Sequence, residues 1–495
     1  MKVKIHKLRP GKEYFIFLLP VFFIVHAYVA NFPLISLKDA ITVLAWNLLT
    51  ALLTSLLFFF LFHDWRKGVI YAFCLLCFQF CFGIVHDSLK KIAGDSFLSK
   101  YSFVLPFSFV GLMLLFYFIK KSNRSFNRLT RYLNILFLIL LAIEGFTFLF
   151  KLNKNTSTSQ QPTWISNKCD TCATPDIYLV IADEYAGNRE LKEIFNFDNA
   201  EFETALQKRG FYIAKNAKSN YNYTPYSVAS IVGMKYLENL STRSNDSKNR
   251  NISHQQINDN EMIRILKQYN YRFINLSMFD FANEATVIDN MFFLTHKKIL
   301  IAQTFTSRIK RDLGFNLVTR FKIQSEIKRY AYSTLKNNQN TLNNTYSAIN
   351  TNSDAPRFIY AHLMMPHYPY YFDAEGHPNP IELLMEEQQH LQKNYLGYLQ
   401  YCNKIFLELI DTILLKSKSP PIIVFMGDHG FRHFIHPVEQ QYHFMNFNSI
   451  YLPGKNYIGF YDSISGVNQF RIILNTQFKT NFPLLKDSTS FMKEY

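Results

Sequence analysis

Long apolar runs dominate the first 151 residues and then stop. They cover approximately Tyr14–Phe32, Ala40–Phe62, Val69–Val85, Phe103–Ile119 and Leu133–Phe150. Each approaches the ~20 residues a helix needs to cross a hydrocarbon core, so the pattern predicts about five transmembrane helices within residues 1–151. A cleaved signal peptide supplies one such run, not five. Residues 152–174 are polar, rich in Ser, Thr, Asn and Gln, and read as a linker. From residue 175 to residue 495 the composition is that of a soluble domain.

Within that domain, Pro175–Glu184 carries a continuous apolar run closed by two acids. Such a run predicts a parallel strand buried on both faces rather than a half-exposed one. Similar runs lie at Tyr271–Leu276, Arg357–Leu363, Pro421–Met426 and Ser449–Leu452, with helical patterns at Asp259–Tyr269 and Lys393–Leu415. Strands alternating with helices predict an α/β sheet covered on both faces. Asn239–Asn260 is rich in Asn and Ser, poor in apolar residues, and reads as a surface loop or insertion. Phe292–Leu342 is basic, aromatic and helical in pattern. It reads as a solvated cationic helix pair or as a surface resting on anionic head groups.

Charge adds an orientation. The net charge is +16, yet residues 1–151 hold 17 Lys/Arg against 6 Asp/Glu, and the rest of the chain 36 against 31. Most of the excess flanks the apolar runs, which argues against nucleic acid as a partner. Lys2, Lys4, Lys7, Arg9 and Lys12 precede the first run, Arg66 and Lys67 follow the second, and Lys120, Lys121, Arg124, Arg128 and Arg131 follow the fourth. These three segments are assigned to the cytoplasm. The loop with Lys90, Lys91 and Lys100 against Asp87 and Asp95 fits that assignment least well. An odd number of spans then delivers residues 175–495 to the outer side of the cell (inner) membrane. Cys74, Cys77 and Cys81 fall in a span and read as apolar packing, and Cys402 stands alone. Cys169 and Cys172 lie in the linker, where an oxidising compartment favours a local disulfide over free thiols.

Candidate chemistry gathers at strand ends, where open α/β sheets bind ligands. Asp183 and Glu184 close the first strand, and Asp428-His429-Gly430 follows Pro421–Met426. Two acidic strand ends and an imidazole suit one divalent metal, and mixed carboxylate and nitrogen donors favour Zn or Mn over Ca. Taken singly, each acid is more often a turn residue. Thr224 stands before Pro225, the N-cap position of a helix, where free N–H groups and the dipole favour an alkoxide or a phosphate oxygen. An ordinary cap is the commoner use of that pattern, and a threonine needs metal activation to act as a nucleophile. His362 and His367 follow an apolar run, placed to contact phosphate oxygens or protonate a leaving group.

These residues together resemble the alkaline phosphatase/sulfatase superfamily. Pro175–Glu184 looks like its opening strand, which implies that Asp183 binds metal and that Glu184 takes the place of a second acid found in sulfatases. Gly427–Gly430 is similar to the Asp-His-Gly metal motif. Thr224, 41 residues after Asp183, with Ser227-Val228 behind it, resembles the nucleophile helix of lipid A phosphoethanolamine transferases. His362 and His367-x-Pro369 match the His-x4-His-x-Pro pattern of that group, and lipoteichoic acid synthases share the five-span anchor. The resemblance implies a membrane-anchored, metal-dependent phosphoryl-group transferase with metal ligands Asp183, Thr224, Asp428 and His429. It makes Thr224 the nucleophile, with His362 and His367 catalytic. The implied donor is a membrane phospholipid, and the acceptor an envelope lipid or glycan.

Two departures bear on this. Sulfatases carry Cys or Ser in Cys/Ser-x-Pro-x-Arg, whereas Thr224-Pro225-Tyr226-Ser227 stands here, which disfavours sulfate-ester hydrolysis by that route. The transferases also carry a further His after Asp-His-Gly, and His433, His436 and His443 are all open for that place. Arg432 is a candidate phosphate clamp. If water is the acceptor, the same site is a phosphodiesterase or related ester hydrolase. A catalytically silent membrane scaffold is the alternative of another class.

Overall fold

The computed structural model describes residues 12–32, 35–94, 96–156, 169–244, 247–286, 288, 297–384 and 388–493. Lys2, Lys4, Lys7, Arg9, Asp95 and linker residues 157–168 lie outside them. The apolar runs form helices α1 (Phe15–Ala30), α2 (Leu37–Phe62), α3 (Trp65–Ala93), α4 (Tyr101–Lys121) and α5 (Asn127–Thr156). Short polar residues between the runs start the helices. Ser36 accepts from Asp39 N, and Asp64 from Arg66 N and Lys67 N, each satisfying amides that the first turn leaves open. Helices α2 to α5 are long and apolar enough to cross a membrane. The first run yields only 16 helical residues, about 24 Å of rise against a hydrocarbon core of about 30 Å. The chain is a membrane protein.

The remaining elements are β1 (Ile177–Ala182), α6 (Asn188–Phe195), α7 (Ala200–Lys208), β2 (Tyr212–Ile213), α8 (Thr224–Gly233), α9 (Ser247–Asn258), α10 (Glu261–Gln268) and β3 (Arg272–Leu276). Next come α11 (Lys297–Leu300), α12 (Phe305–Asp312), α13 (Gly314–Arg320), α14 (Gln324–Ala331) and α15 (Ser333–Asn350). The chain closes with β4 (Arg357–Leu363), α16 (Gln392–Lys416), β5 (Ile422–Gly427), β6 (Asn448–Tyr451) and α17 (Gly466–Phe478). Two compact units form: Met1–Gln160 with Met291–Gln324, and Gln161–Asn290 with Ser325–Tyr495.

The second unit is built on a six-stranded mixed sheet of order β2-β6-β5-β1-β4-β3. Strand β1 runs parallel to β4 and β5, β3 parallel to β4, and β6 and β2 close one edge antiparallel. Every residue of β1, β4 and β5 is buried, as their unbroken apolar runs require of strands covered on both faces. Helix α16 covers one face with Tyr395, Tyr398, Leu399, Cys402, Phe406, Leu409, Ile410 and Ile413, a stripe at helical spacing. Cys402 is thus a packing residue, and Cys169 is joined to Cys172.

The stretch Asn239–Asn260, expected as a surface loop or insertion, contains helix α9. Its buried side is mostly polar, with Asn249, Ser253, Gln256 and Ile257, so an apolar periodicity cannot reveal it. Gln256 donates to the carbonyls of Ala229 and Lys235 at 2.9 and 3.1 Å, closing the C-terminal end of α8.

Candidate active site

The three central strands deliver the site. Registers pair Ala182 with Gly427 and Ile181 with His362, so Asp183, Asp428 and His362 emerge side by side at neighbouring carboxyl ends. Gly427 is required there, because a Cβ would meet the Tyr185 carbonyl at 2.5 Å. Glu184 turns out of β1 with φ at 59°, in the left-handed region that few non-glycine residues adopt. That turn sends its carboxylate away from its neighbour's. The Glu184 N–H donates to Asp428 Oδ1 at 3.0 Å, and its Oε1 accepts from Arg432 N at 2.8 Å.

Thr224 is the first residue of α8 rather than its cap. Tyr223 holds the cap position with no side-chain bond, so the Thr224 hydroxyl is not consumed by its own helix. Its Oγ1 lies 3.3 Å from His429 Nε2. His429 Nδ1 lies 2.7 Å from the Gly430 carbonyl; a carbonyl only accepts, so Nδ1 donates there and Nε2 is the nitrogen that faces Thr224. That Nε2 is 3.3 Å from Asp428 Oδ2 and 3.9 Å from Asp183 Oδ1. Ser227, one turn on, donates to the Asp428 carbonyl at 2.6 Å and ties α8 to the strand end.

His367 Nδ1 faces the Tyr368 carbonyl at 2.5 Å, and its Nε2 lies 3.9 Å from Glu184 Oε2. His362 differs. Its Nε2 meets Asp183 Oδ2 at 3.1 Å and its Nδ1 the Tyr360 hydroxyl at 3.1 Å, so both ring nitrogens are engaged. Among the three histidines left open by the sequence, His433 reaches Glu184 Oε1 at 3.5 Å. His436 is exposed, and the ring of His443 packs on Phe434 and Phe491. The Arg432 guanidinium lies 4.2 Å from the Tyr223 ring centre, directly beside Thr224 in sequence.

Whether these residues fit a metal is a question of unpaired oxygens. Asp183 Oδ1, Glu184 Oε2 and Asp428 Oδ2 are buried and accept no hydrogen bond, a costly state for carboxylates unless something cationic meets them. At these strand ends two groups bring their ligand atoms within 4.8 Å of one another: Asp183 with His362 and Asp428, and Glu184 with His367 and His433. Acid and imidazole donors so placed fit a divalent metal. Burial raises the Asp183 pKa, but the His362 bond and the charges of His367, His362 and His429 outweigh it and hold the carboxyl down. Burial wins at Glu184, whose pKa is raised. His433 is pushed down by burial and then by Arg432, which keeps it neutral and able to bind a cation.

The sulfatase family profile matches residues 180–457, more than half of the chain. The chain belongs to the sulfatase family. It is therefore an enzyme of the alkaline phosphatase/sulfatase superfamily, with an apolar helical N-terminal region. No curated protein gives a significant match to this sulfatase-family chain. Similar solved structures include the C-terminal periplasmic domain of EptC from Escherichia coli in complex with zinc. It has 12% identity and a TM-score of 0.38, covering 64% of this chain and 84% of that one. The corresponding domain of the phosphoethanolamine transferase EptC from Campylobacter jejuni has 15% identity, covers 62% and 90%, and has a TM-score of 0.35. The soluble domain of lipooligosaccharide phosphoethanolamine transferase A from Neisseria meningitidis has 10% identity, covers 63% and 90%, and has a TM-score of 0.37.

Proposed function

We propose that this sulfatase-family enzyme is a multi-pass inner-membrane phosphoryl-group transferase, of the phosphoethanolamine or glycerol-phosphate type, with its catalytic domain outside the cytoplasm. The observation that supports it is the Thr224 hydroxyl, 3.3 Å from His429 Nε2, uncommitted to its helix and beside carboxylates with unpaired oxygens. Asp183, Asp428, His429 and Thr224 would hold the divalent metal, Zn or Mn by donor chemistry. Bound there, it supplies Lewis acidity and lowers the pKa of the hydroxyl.

Thr224 Oγ attacks the phosphorus of a membrane phospholipid. The bond from phosphorus to the glycerol oxygen breaks, leaving a neutral lipid and a phosphothreonine. A hydroxyl of an envelope lipid or glycan then attacks that phosphorus and releases Thr224. Proton delivery to the leaving oxygen falls to His367, because both nitrogens of His362 are engaged; His362 orients Asp183 instead. Arg432 holds phosphate oxygens. Wild-type enzyme given labelled phospholipid without acceptor should gain mass on the peptide containing Thr224. No adduct with any phospholipid or phosphodiester donor would remove the covalent mechanism. Head group released to water, with none passed to an acceptor, would favour the hydrolase reading, which the sulfatase-like acid Glu184 supports.

A further inference from the structure

Residues 297–323 lie between β3 and β4 in chain order, yet belong to the compact unit of the apolar helices. One side of α12 is fixed to α3. The Phe305 ring lies 4.9 Å from Phe78 and 5.0 Å from Phe82. Buried Arg308 pairs with Asp87, Gln79 donates to Thr306 at 2.8 Å, and Tyr101 of α4 donates to Asp312. Gly83 N donates to the Gln303 carbonyl at 2.8 Å, and a Cβ on Gly83 would meet that same carbonyl oxygen at 2.8 Å, so the backbones approach closely only with glycine there.

Length fixes the level of this attachment. Helix α3 has 29 residues, about 43 Å, and outruns a hydrocarbon core of about 30 Å by more than two turns. Its contacts with the insertion run from Phe78 to Asp87, towards its C-terminal end, and include the first residue of α4. These contacts begin inside the apolar run Val69–Val85 and end two residues beyond it, so the insertion brackets the level at which that run ends.

Leu300 is buried against Ile24, Ile35, Ala40 and Val43, and Lys297 pairs with Asp39, whereas the C-terminal part of the insertion is more exposed. Leu317, Phe321 and Ile323 are 41%, 70% and 43% exposed, and Lys310, Arg320 and Lys322 are exposed around them. Residues 297–323 hold seven Lys/Arg and one acid. Apolar tips among cations, continuous with an apolar helix bundle, match the chemistry of a head-group layer. We propose that residues 310–323 rest in the bilayer that holds α2–α5. Leu317, Phe321 and Ile323 enter the acyl boundary, while Lys310, Arg320 and Lys322 pair with the phosphates of anionic phospholipids. This holds whatever reaction the catalytic unit performs.

The test uses the full chain in nanodiscs of phosphatidylcholine and phosphatidylglycerol, with photoreactive benzoylphenylalanine in place of Phe321. Irradiation should give phospholipid adducts enriched in phosphatidylglycerol, and irradiation of the chain without the probe should give none. Combining Lys310→Gln, Arg320→Gln and Lys322→Gln should lower that enrichment about tenfold, with helical content and metal content unchanged. Adducts to protein alone, to a second copy of the chain, or to no lipid would overturn the proposal. Equal capture of both lipids by the unsubstituted insertion would overturn the anionic pairing.

Discussion

Thr224 can be tested cleanly because its hydroxyl makes no capping bond. Thr224→Ala should leave thermal stability nearly unchanged, less altered than the ~1 kcal/mol that loss of a true N-cap costs. It should keep much of the bound metal yet lose turnover and the phosphoryl adduct. Ser227→Ala is the opposite case. It removes a donor from the buried Asp428 carbonyl, costs about 1–3 kcal/mol, and should retain the adduct. An adduct that survives Thr224→Ala and vanishes in Ser227→Ala would move the nucleophile by one turn. A second prediction concerns His254, whose Nε2 is sealed from water without a partner and whose ring packs on Phe279. Burial, helped by Arg250, pulls its pKa down to about 4, while the unfolded chain takes the proton near 6.5. Between those values the unfolded state binds more protons, so stability falls as pH falls, by roughly 3 kcal/mol in total. Melting the metal-free protein from pH 7 to pH 4 checks this, and His254→Gln should flatten the dependence; an equally steep slope in that variant would exclude His254 as its source. The acids at the strand ends were legible because an apolar strand ending in Asp is a local signal. His433 was not separable from His436 and His443, because only the turn after Gly430 decides which ring faces Glu184.

Helix α6 contributes a residue that no motif announces. Glu190 is buried, and both its carboxyl oxygens accept from Phe431 N, at 3.1 and 3.4 Å. It thereby holds the loop that carries His429, Arg432 and His433. Burial raises its pKa well above the ordinary carboxyl value, so its neutral form is favoured and an amide is a fair substitute. Glu190→Gln should keep metal and thermal midpoint close to wild type. Glu190→Ala leaves a buried N–H unpaired, costs about 1–3 kcal/mol before any cavity term, and should loosen metal retention. Equal behaviour of the two variants on calorimetry and metal analysis would show that the carboxyl does not position the loop. The same contrast between local and remote signals explains which elements the sequence disclosed. Strands β1, β4 and β5 show themselves because burial on both faces leaves no polar positions to confuse the pattern. Helix α9 stays hidden because its buried side is mostly amide and hydroxyl, with Asn249 bonded to Ser241 and Arg243 and Gln256 to Ala229 and Lys235. Strand β2, two residues long, exists through its pairing with β6 alone.

All five apolar runs form helices, and four of them, α2 to α5, have the length and hydropathy of a span, α1 being shorter. The short first helix leaves open which side holds the N-terminus, but the side of the catalytic domain does not depend on it. On the proposed topology, the five cations between Lys120 and Arg131, with no acid among them, would hold the α4–α5 connection in the cytoplasm. One crossing, by α5, would then carry the chain outward. Helix α5 contains 26 residues from Asn127 to Leu152 that satisfy the length and hydropathy of a span, about 39 Å, enough for that crossing. An enzyme reporter active only after export should therefore be active when fused after Lys168 and silent when fused near Ser125. A third fusion ahead of Lys12 separates the two roles of α1. Silence there means that α1 crosses; activity there means that it lies short of a full span, and leaves the other two results unchanged. Activity near Ser125 with silence after Lys168 would put the catalytic unit in the cytoplasm. That result would also deny it an outer-leaflet donor and an envelope acceptor, and the transferase reading would fall with the topology.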